Sequence, residues 1–288
     1  MGGRRRLIAF LVGLGISALA LWVLVSSVDL PATGAALRRA RIEGLAPIAI
    51  VLAIQFSLRT FRWSRLAASL RPDAPVPASH FAAPLAMGYL GNAVLPARLG
   101  EAIRAAVLGR AEGLPVAAVL GTVLVERILD TLTLAALAGV VAAAIAPEWM
   151  ARLAAGVAVI AMVVLGVLVV GGGIAATKLR AAQRGPLRRA ATIGGGAGLT
   201  IASAVAGIPR SALALAVAIS LAAWLGDALL FWLVASALGI GLSLGAAFLV
   251  AAVTVLGTAV PSSPGYIGTF EAAAVAAAAA LGVPSGDA

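Results

Sequence analysis

Gly91-Asn92-Ala93-Val94-Leu95-Pro96-Ala97-Arg98-Leu99-Gly100-Glu101-Ala102-Ile103-Arg104 sets a proline break and three charges inside an apolar, membrane-length stretch. An ionisable side chain at bilayer depth costs roughly 2.5–3.5 kcal/mol on insertion scales, so it is normally paired or turned toward a cavity. The surrounding chain is 62% hydrophobic and 11% charged, with a mean hydropathy of +1.09. Soluble domains carry about 25% charged residues. Several apolar runs reach the roughly 20 residues that cross a hydrocarbon core, and no short alternating strand pattern points to a barrel. The fold class is therefore all-α: a polytopic transmembrane helical bundle with two broken or re-entrant segments, read as one domain over residues 1–288.

The formal net charge of +10 does not indicate nucleic acid. Most of the basic residues flank apolar segments, where Lys and Arg set membrane topology. The absence of cysteine excludes disulfides, thiol catalysis and thiolate metal sites. His80 is the single histidine and leaves little room for a metal, so neither a metal nor a cofactor is expected.

Outward from the opening stretch, Arg4, Arg5 and Arg6 precede a span from about Leu7 to Val28, which places the N-terminus in the cytoplasm. That span has no small-residue cleavage site after it and reads as retained. Arg38, Arg39 and Arg41 in the following link weigh against the orientation. A second span runs from about Leu45 to Trp63, with Arg59, Arg62 and Arg65 expected to snorkel to the cytoplasmic headgroups. His80 to Leu108 is broken by Pro84, Gly88, Gly91 and Pro96 and reads as re-entrant or discontinuous. Leu114 to Ala146 is a long helix carrying Glu126, Arg127 and Asp130. Further spans follow at about Met150 to Ala176, Ala212 to Leu238 and Leu244 to Val260, and an Ala-rich helix from Tyr266 to Leu281 closes the series. Gly194 to Gly207 is expected at the interface, and the basic loop from Lys178 to Arg189 marks the cytoplasm.

The opening stretch has an echo. Gly257-Thr258-Ala259-Val260-Pro261 repeats the Gly-x-Ala-Val before a proline, and each motif continues to a glycine and a glutamate: Gly100 and Glu101, then Gly268 and Glu271. Paired Gly/Pro-interrupted apolar segments point to a transporter's binding region. A proline removes an amide donor, and the freed backbone groups need a cavity or a buried partner. A helix restarting at Ser263 as N-cap, with Pro264 in its first turn, would offer a positive dipole end to a phosphate. The competing reading is a pair of helix kinks in an Ala/Gly-rich chain.

The charges bear on that choice. In a helix after Pro96, Arg98, Glu101 and Arg104 share a face, and Arg127 faces Asp130 along the next helix. Arg98, Arg104 and Arg127 balance Glu101, Glu126, Asp130 and Glu271. Seven charges in three broken or polar-lined segments favour a pathway or headgroup site over simple helix clips, and the arginine fork suits phosphate or carboxylate.

These residues carry a family resemblance. Asn92-x3-Pro96-x-Arg98-x-Gly100-Glu101-x2-Arg104, then Glu126-Arg127-x2-Asp130, then Pro261-x-Ser263-Pro264-Gly265-x2-Gly268-x2-Glu271 resembles the lysylphosphatidylglycerol synthase transmembrane, flippase-like family. That family includes the membrane domain of the multiple peptide resistance factor. The resemblance implies a helical membrane domain that moves an anionic or aminoacylated phospholipid between leaflets, in a bacterial or archaeal inner membrane. It also implies no synthase activity, since no aminoacyl-transfer domain is recognisable in these residues. Gly282 to Ala288 looks like the lead-in to a further helix, so the chain is expected to be truncated at its C-terminus.

Other residues carry less. Ser262 and Ser263 beside Gly265 do not form a nucleophile elbow. Asp227 is expected to make a helix–helix hydrogen bond. The glycine triplets at Gly171 and Gly194 lack a phosphate-loop context. The expected site is a lipid headgroup site built from Asn92, Arg98, Glu101, Arg104, Glu126, Arg127, Asp130, Ser263 and Glu271. Pro96, Gly100, Pro261, Pro264, Gly265 and Gly268 are its hinges or helix breaks. The partner is a membrane phospholipid, with homo-oligomerisation left open. The alternatives are a membrane-embedded transferase on a lipid-linked substrate, with Glu101 or Glu271 as base, and a small-anion secondary transporter.

Overall fold

In hydrocarbon, a backbone amide or carbonyl finds no water, so each segment closes its own hydrogen bonds as helix. A computed structural model of the chain describes residues 22, 34, 44–95, 99–145, 152, 155–164, 196–258 and 264–282. Among them the regular elements are helical and no strand occurs. In chain order they are α1 (Leu45–Ala67), α2 (Ala82–Val94), α3 (Gly100–Glu112), α4 (Val116–Ile145), α5 (Ala155–Val164), α6 (Gly196–Gly207), α7 (Arg210–Ala237), α8 (Leu244–Gly257) and α9 (Thr269–Ala280). Three stretches are long and apolar enough to cross a bilayer: Leu45–Leu70, Val116–Ile145 and Arg210–Ala237. The expected first span from Leu7 to Val28, and most of Met150 to Ala176, lie outside the described residues.

The described chain divides into two compact units. One is Gln55–Gly91 with Gly100–Ala223. In it the broken stretch is a helical hairpin. A side-chain carbon added at Gly91 would lie 2.9 Å from the Gly100 Cα, and one at Gly88 would lie 3.1 Å from the Arg104 Cβ. This antiparallel register needs the two glycines, because backbones approach so closely only where no side chain intervenes. Thirteen residues in each of α2 and α3 give about 20 Å of helix at about 1.5 Å per residue. Neither leg is long enough to cross alone. The chain turns back between them, as a re-entrant element does.

Trp63, Phe81, Leu85, Leu108, Val119 and Val123 fill the core among α1, α2, α3 and α4. The Trp63 and Phe81 rings meet edge to face with centroids 5.0 Å apart. A second cluster joins Leu66 of α1 and Val125 and Leu129 of α4 to Ala212, Leu213 and Ala216 of α7. The glycine-rich α6 belongs to this same unit. It packs on α4, where a side-chain carbon at Gly121 would sit 3.1 Å from the Ile201 carbonyl oxygen. Small residues there serve close helix packing.

The other unit draws on the described parts of Met1–Ile54, Asn92–Leu99 and Trp224–Ala288. Its centre is a second hairpin, α8 with α9. Val250 packs with Ala277 and Ala278, and a side-chain carbon at Gly257 would come within 2.7 Å of the Ala273 Cβ. Ser243 caps α8, its hydroxyl oxygen accepting from the Ala246 amide at 3.2 Å. The start of α9 differs from expectation. Pro264–Tyr266 forms a single 3-10 turn, Gly265 and Gly268 take positive φ of 73° and 90°, and the helix begins at Thr269 with Gly268 as its N-cap. The left-handed turns at these glycines stop the helix from starting near Ser263, which itself lies outside the described residues.

Candidate functional site: a buried arginine–carboxylate cluster

Four helices of the first unit bring their charges to one place. From α1 comes Arg62, from α3 Glu101 and Arg104, from α4 Glu126, Arg127 and Asp130, and from α7 Ser220. Spacing explains part of this. Glu101 and Arg104 stand one turn apart on α3, as do Arg127 and Asp130 on α4, so each pair projects from one face.

The geometry is closely paired. The Arg62 guanidinium donates to Glu126 Oε1 at 2.6 Å, to Asp130 Oδ2 at 3.1 Å and to the Ser220 hydroxyl at 2.5 Å, and it also pairs with Asp130 Oδ1. Ser220 in turn donates to Asp130 Oδ1 at 2.9 Å. Arg104 reaches Glu101 Oε2 at 2.6 Å and Glu126 Oε2 at 3.1 Å. Its guanidinium carbon stands 4.8 Å from the Trp63 ring centroid, and the Trp63 indole N–H is held by Thr122 Oγ1 at 3.1 Å. Arg127 Nη2 donates to Glu126 Oε1 at 2.9 Å and approaches Asp130 Oδ2 at 3.0 Å, while its Nε lies 3.8 Å from Glu101 Oε1. Three guanidiniums thus face three carboxylates. Taking ions out of water is tolerated only when partners and hydrogen bonds replace the lost hydration.

Burial grades the cluster. The Arg62 and Glu126 side chains are each 1% exposed and that of Arg104 is 3%, whereas Arg127 keeps 33% and Glu101 20%. Among the described residues the more exposed edge of the cluster is therefore the Arg127–Glu101 edge.

A family model described as the lysylphosphatidylglycerol synthase TM region matches residues 10–288. The chain belongs to this family. It is a membrane protein with a lipid-related role, in keeping with its apolar helices. Among curated proteins it is similar to the glycosyltransferase AglD of Haloferax volcanii, at 29% identity over 136 residues, or 47% of this chain and 22% of that protein. The chain thus covers much less than two thirds of that relative. No solved structure matches.

The structure joins Glu101, Arg104, Glu126, Arg127 and Asp130 in one network. Asn92 lies partly buried in α2, within the other unit. Gly100 opens α3 and is buried. Pro96, Arg98, Pro261 and Ser263 fall outside the described residues. Glu271 has a local partner. Its Oε2 accepts from the Gly268 amide at 2.7 Å and caps its own helix.

Sequence reasoning missed Arg62 and Ser220. The expected snorkelling of Arg62 is incorrect, because the side chain turns inward to two carboxylates that outweigh the pull of the headgroups. A signal was present. Gln55, Arg59 and Arg62 recur at helical spacing down an apolar helix, and Arg59 donates to Gln55 Oε1 at 3.0 Å. Such a polar stripe marks a face turned toward protein. Ser220 carried no comparable signal, since hydroxyls are ordinary in transmembrane helices.

Proposed function

We propose that this domain binds and moves, between leaflets, a phospholipid whose headgroup is anionic or aminoacylated, without chemically changing it. The observation that carries the reading is the charge-balanced Arg62/Arg104/Arg127–Glu101/Glu126/Asp130 cluster, set among apolar helices and, among the described residues, most exposed at Arg127 and Glu101. Buried ionisable groups in apolar helices are rare, pair with one another and commonly mark substrate or ion paths. Guanidinium and carboxylate side by side offer one partner for a phosphate and one for an ammonium. The re-entrant α2–α3 hairpin supplies Glu101 and Arg104. Its short legs bring those charges into the bundle without a full crossing. The expected location is the inner membrane of a bacterial or archaeal cell.

The test is leaflet exchange in proteoliposomes. The protein is expected to accelerate exchange of fluorescent phosphatidylglycerol or its lysyl ester over protein-free vesicles, and Arg98→Ala to abolish the acceleration. A neutral diacylglycerol is expected to show no dependence on the protein. Unaccelerated exchange of every anionic lipid would remove the reading. The likeness to the Haloferax glycosyltransferase favours one second reading, a transferase acting on a lipid-linked substrate with Glu101 as base. Its signature is a mass change in an added lipid. Uptake of a small anion with no lipid exchange would instead indicate a secondary transporter.

A further inference from the structure

The three arginines of the cluster are not equivalent. Every carboxylate oxygen that hydrogen-bonds or closely pairs with Arg127 is also held by Arg62. Glu126 Oε1 receives Arg62 at 2.6 Å and Arg127 at 2.9 Å. Asp130 Oδ2 receives Arg62 at 3.1 Å and Arg127 at 3.0 Å. Glu101 is secured by Arg104 at 2.6 Å, and only a 3.8 Å approach links it to Arg127. Withdrawing Arg127 therefore leaves each carboxylate with a guanidinium at hydrogen-bonding distance. Withdrawing Arg62 also leaves each carboxylate a guanidinium, but it removes the link from α1 to Ser220 of α7, which Arg127 does not make.

A further observation separates the side chains. Arg127 is the most exposed of the three, at 33% against 1% and 3%. A planar fork whose Nη2 bonds only doubly held oxygens can change partner without leaving either carboxylate unpaired.

We propose that Arg127 is an exchangeable arm. It leaves Glu126 and Asp130 to take a phosphate group, while Arg62 stays hydrogen-bonded to both carboxylates. This rests on the headgroup reading above and names the residue that makes the contact. The shared chemistry is a phosphate monoanion bound by a guanidinium fork, whether it arrives as a lipid phosphodiester or as free phosphate.

The experiment uses the full chain in detergent, titrated with dihexanoyl phosphatidylglycerol in one arm and inorganic phosphate in the other, with melting followed in parallel. Arg127→Gln is expected to melt close to the parent protein yet bind the phosphodiester roughly tenfold or more weakly. Arg127→Lys, which keeps the charge but loses the fork, is expected to fall between them. Arg62→Gln, or Arg62→Lys should the first fail to fold, is expected to melt well below both Arg127 variants. Unchanged binding by Arg127→Gln overturns the proposal. So does a melting loss for Arg127→Gln equal to that of Arg62→Gln, or a parent protein that binds neither ligand. If inorganic phosphate binds as well as the lipid and depends equally on Arg127, the arm stands and the lipid reading falls. If the parent accelerates leaflet exchange and Arg127→Gln does so equally, the lipid reading stands and the arm falls.

Discussion

The two helical hairpins carry the same short pattern and use it differently. In α2–α3, Gly91 is the point of close approach to Gly100, and in α8–α9, Gly257 approaches Ala273. The echoed glycine does one job twice, letting two short legs pack closely, against backbone at Gly91 and against an alanine methyl at Gly257. The echoed glutamates diverge. Glu101 reaches Arg104 on its own helix and faces Arg127 of α4, whereas Glu271 folds back on the Gly268 amide and caps α9. A repeat in sequence therefore transmits the hairpin and not the site. What makes one hairpin a candidate site is the charged surface of its neighbours, α1 and α4.

The comparison breaks most decisively at the neighbours. Arg62→Ala is expected to destabilise the first unit by about 3–5 kcal/mol, since it removes the buried guanidinium that ties α1 to Glu126, Asp130 and Ser220. Unfolding in graded denaturing detergent measures this, and a loss no larger than that of Glu271→Ala would erase the distinction between the hairpins. Next come the crossing points. Gly91→Leu and Gly257→Leu are each expected to cost about 1–3 kcal/mol by overpacking, and similar losses would confirm that the glycines share a role. A Gly91 variant as stable as the parent would deny the tight α2–α3 approach. Glu271→Ala is expected to cost about 0.3–1 kcal/mol, the worth of a carboxylate at a helix N-terminus, with no effect on lipid binding. A strong binding defect there would restore Glu271 to the site. Smallest is His80→Gln, which removes an exposed 2.8 Å contact to Glu112. It is expected to change stability by about 0–1 kcal/mol, read as a shift in melting temperature.

Much of the site was legible because it obeys local rules. Glu101 with Arg104, and Arg127 with Asp130, meet at one-turn spacing, so their pairing follows from the sequence once each segment is helical. Arg62 escaped because its position near a helix end equally suits snorkelling, and only the location of Glu126 and Asp130 decides between the two. The α9 start was misplaced for a different reason. Ser263-Pro264 has the composition of a cap, but Gly265 and Gly268 take positive φ, and a side-chain carbon at Gly265 would lie 3.1 Å from the Ala93 carbonyl oxygen, a tertiary contact that the local sequence does not announce.

By itself the sequence determined that this is a helical membrane protein, that two of its elements are interrupted, and which charged residues stand in register along α3 and α4. Those properties depend on transfer energies and helical periodicity, which act over a few turns of chain. Only the tertiary structure decided that Arg62 turns inward, that Ser220 joins it, that Glu271 caps its own helix, and that Arg127 is the most exposed of the three arginines. Each depends on which helices pack side by side, and the partners are separated by up to 158 positions along the chain.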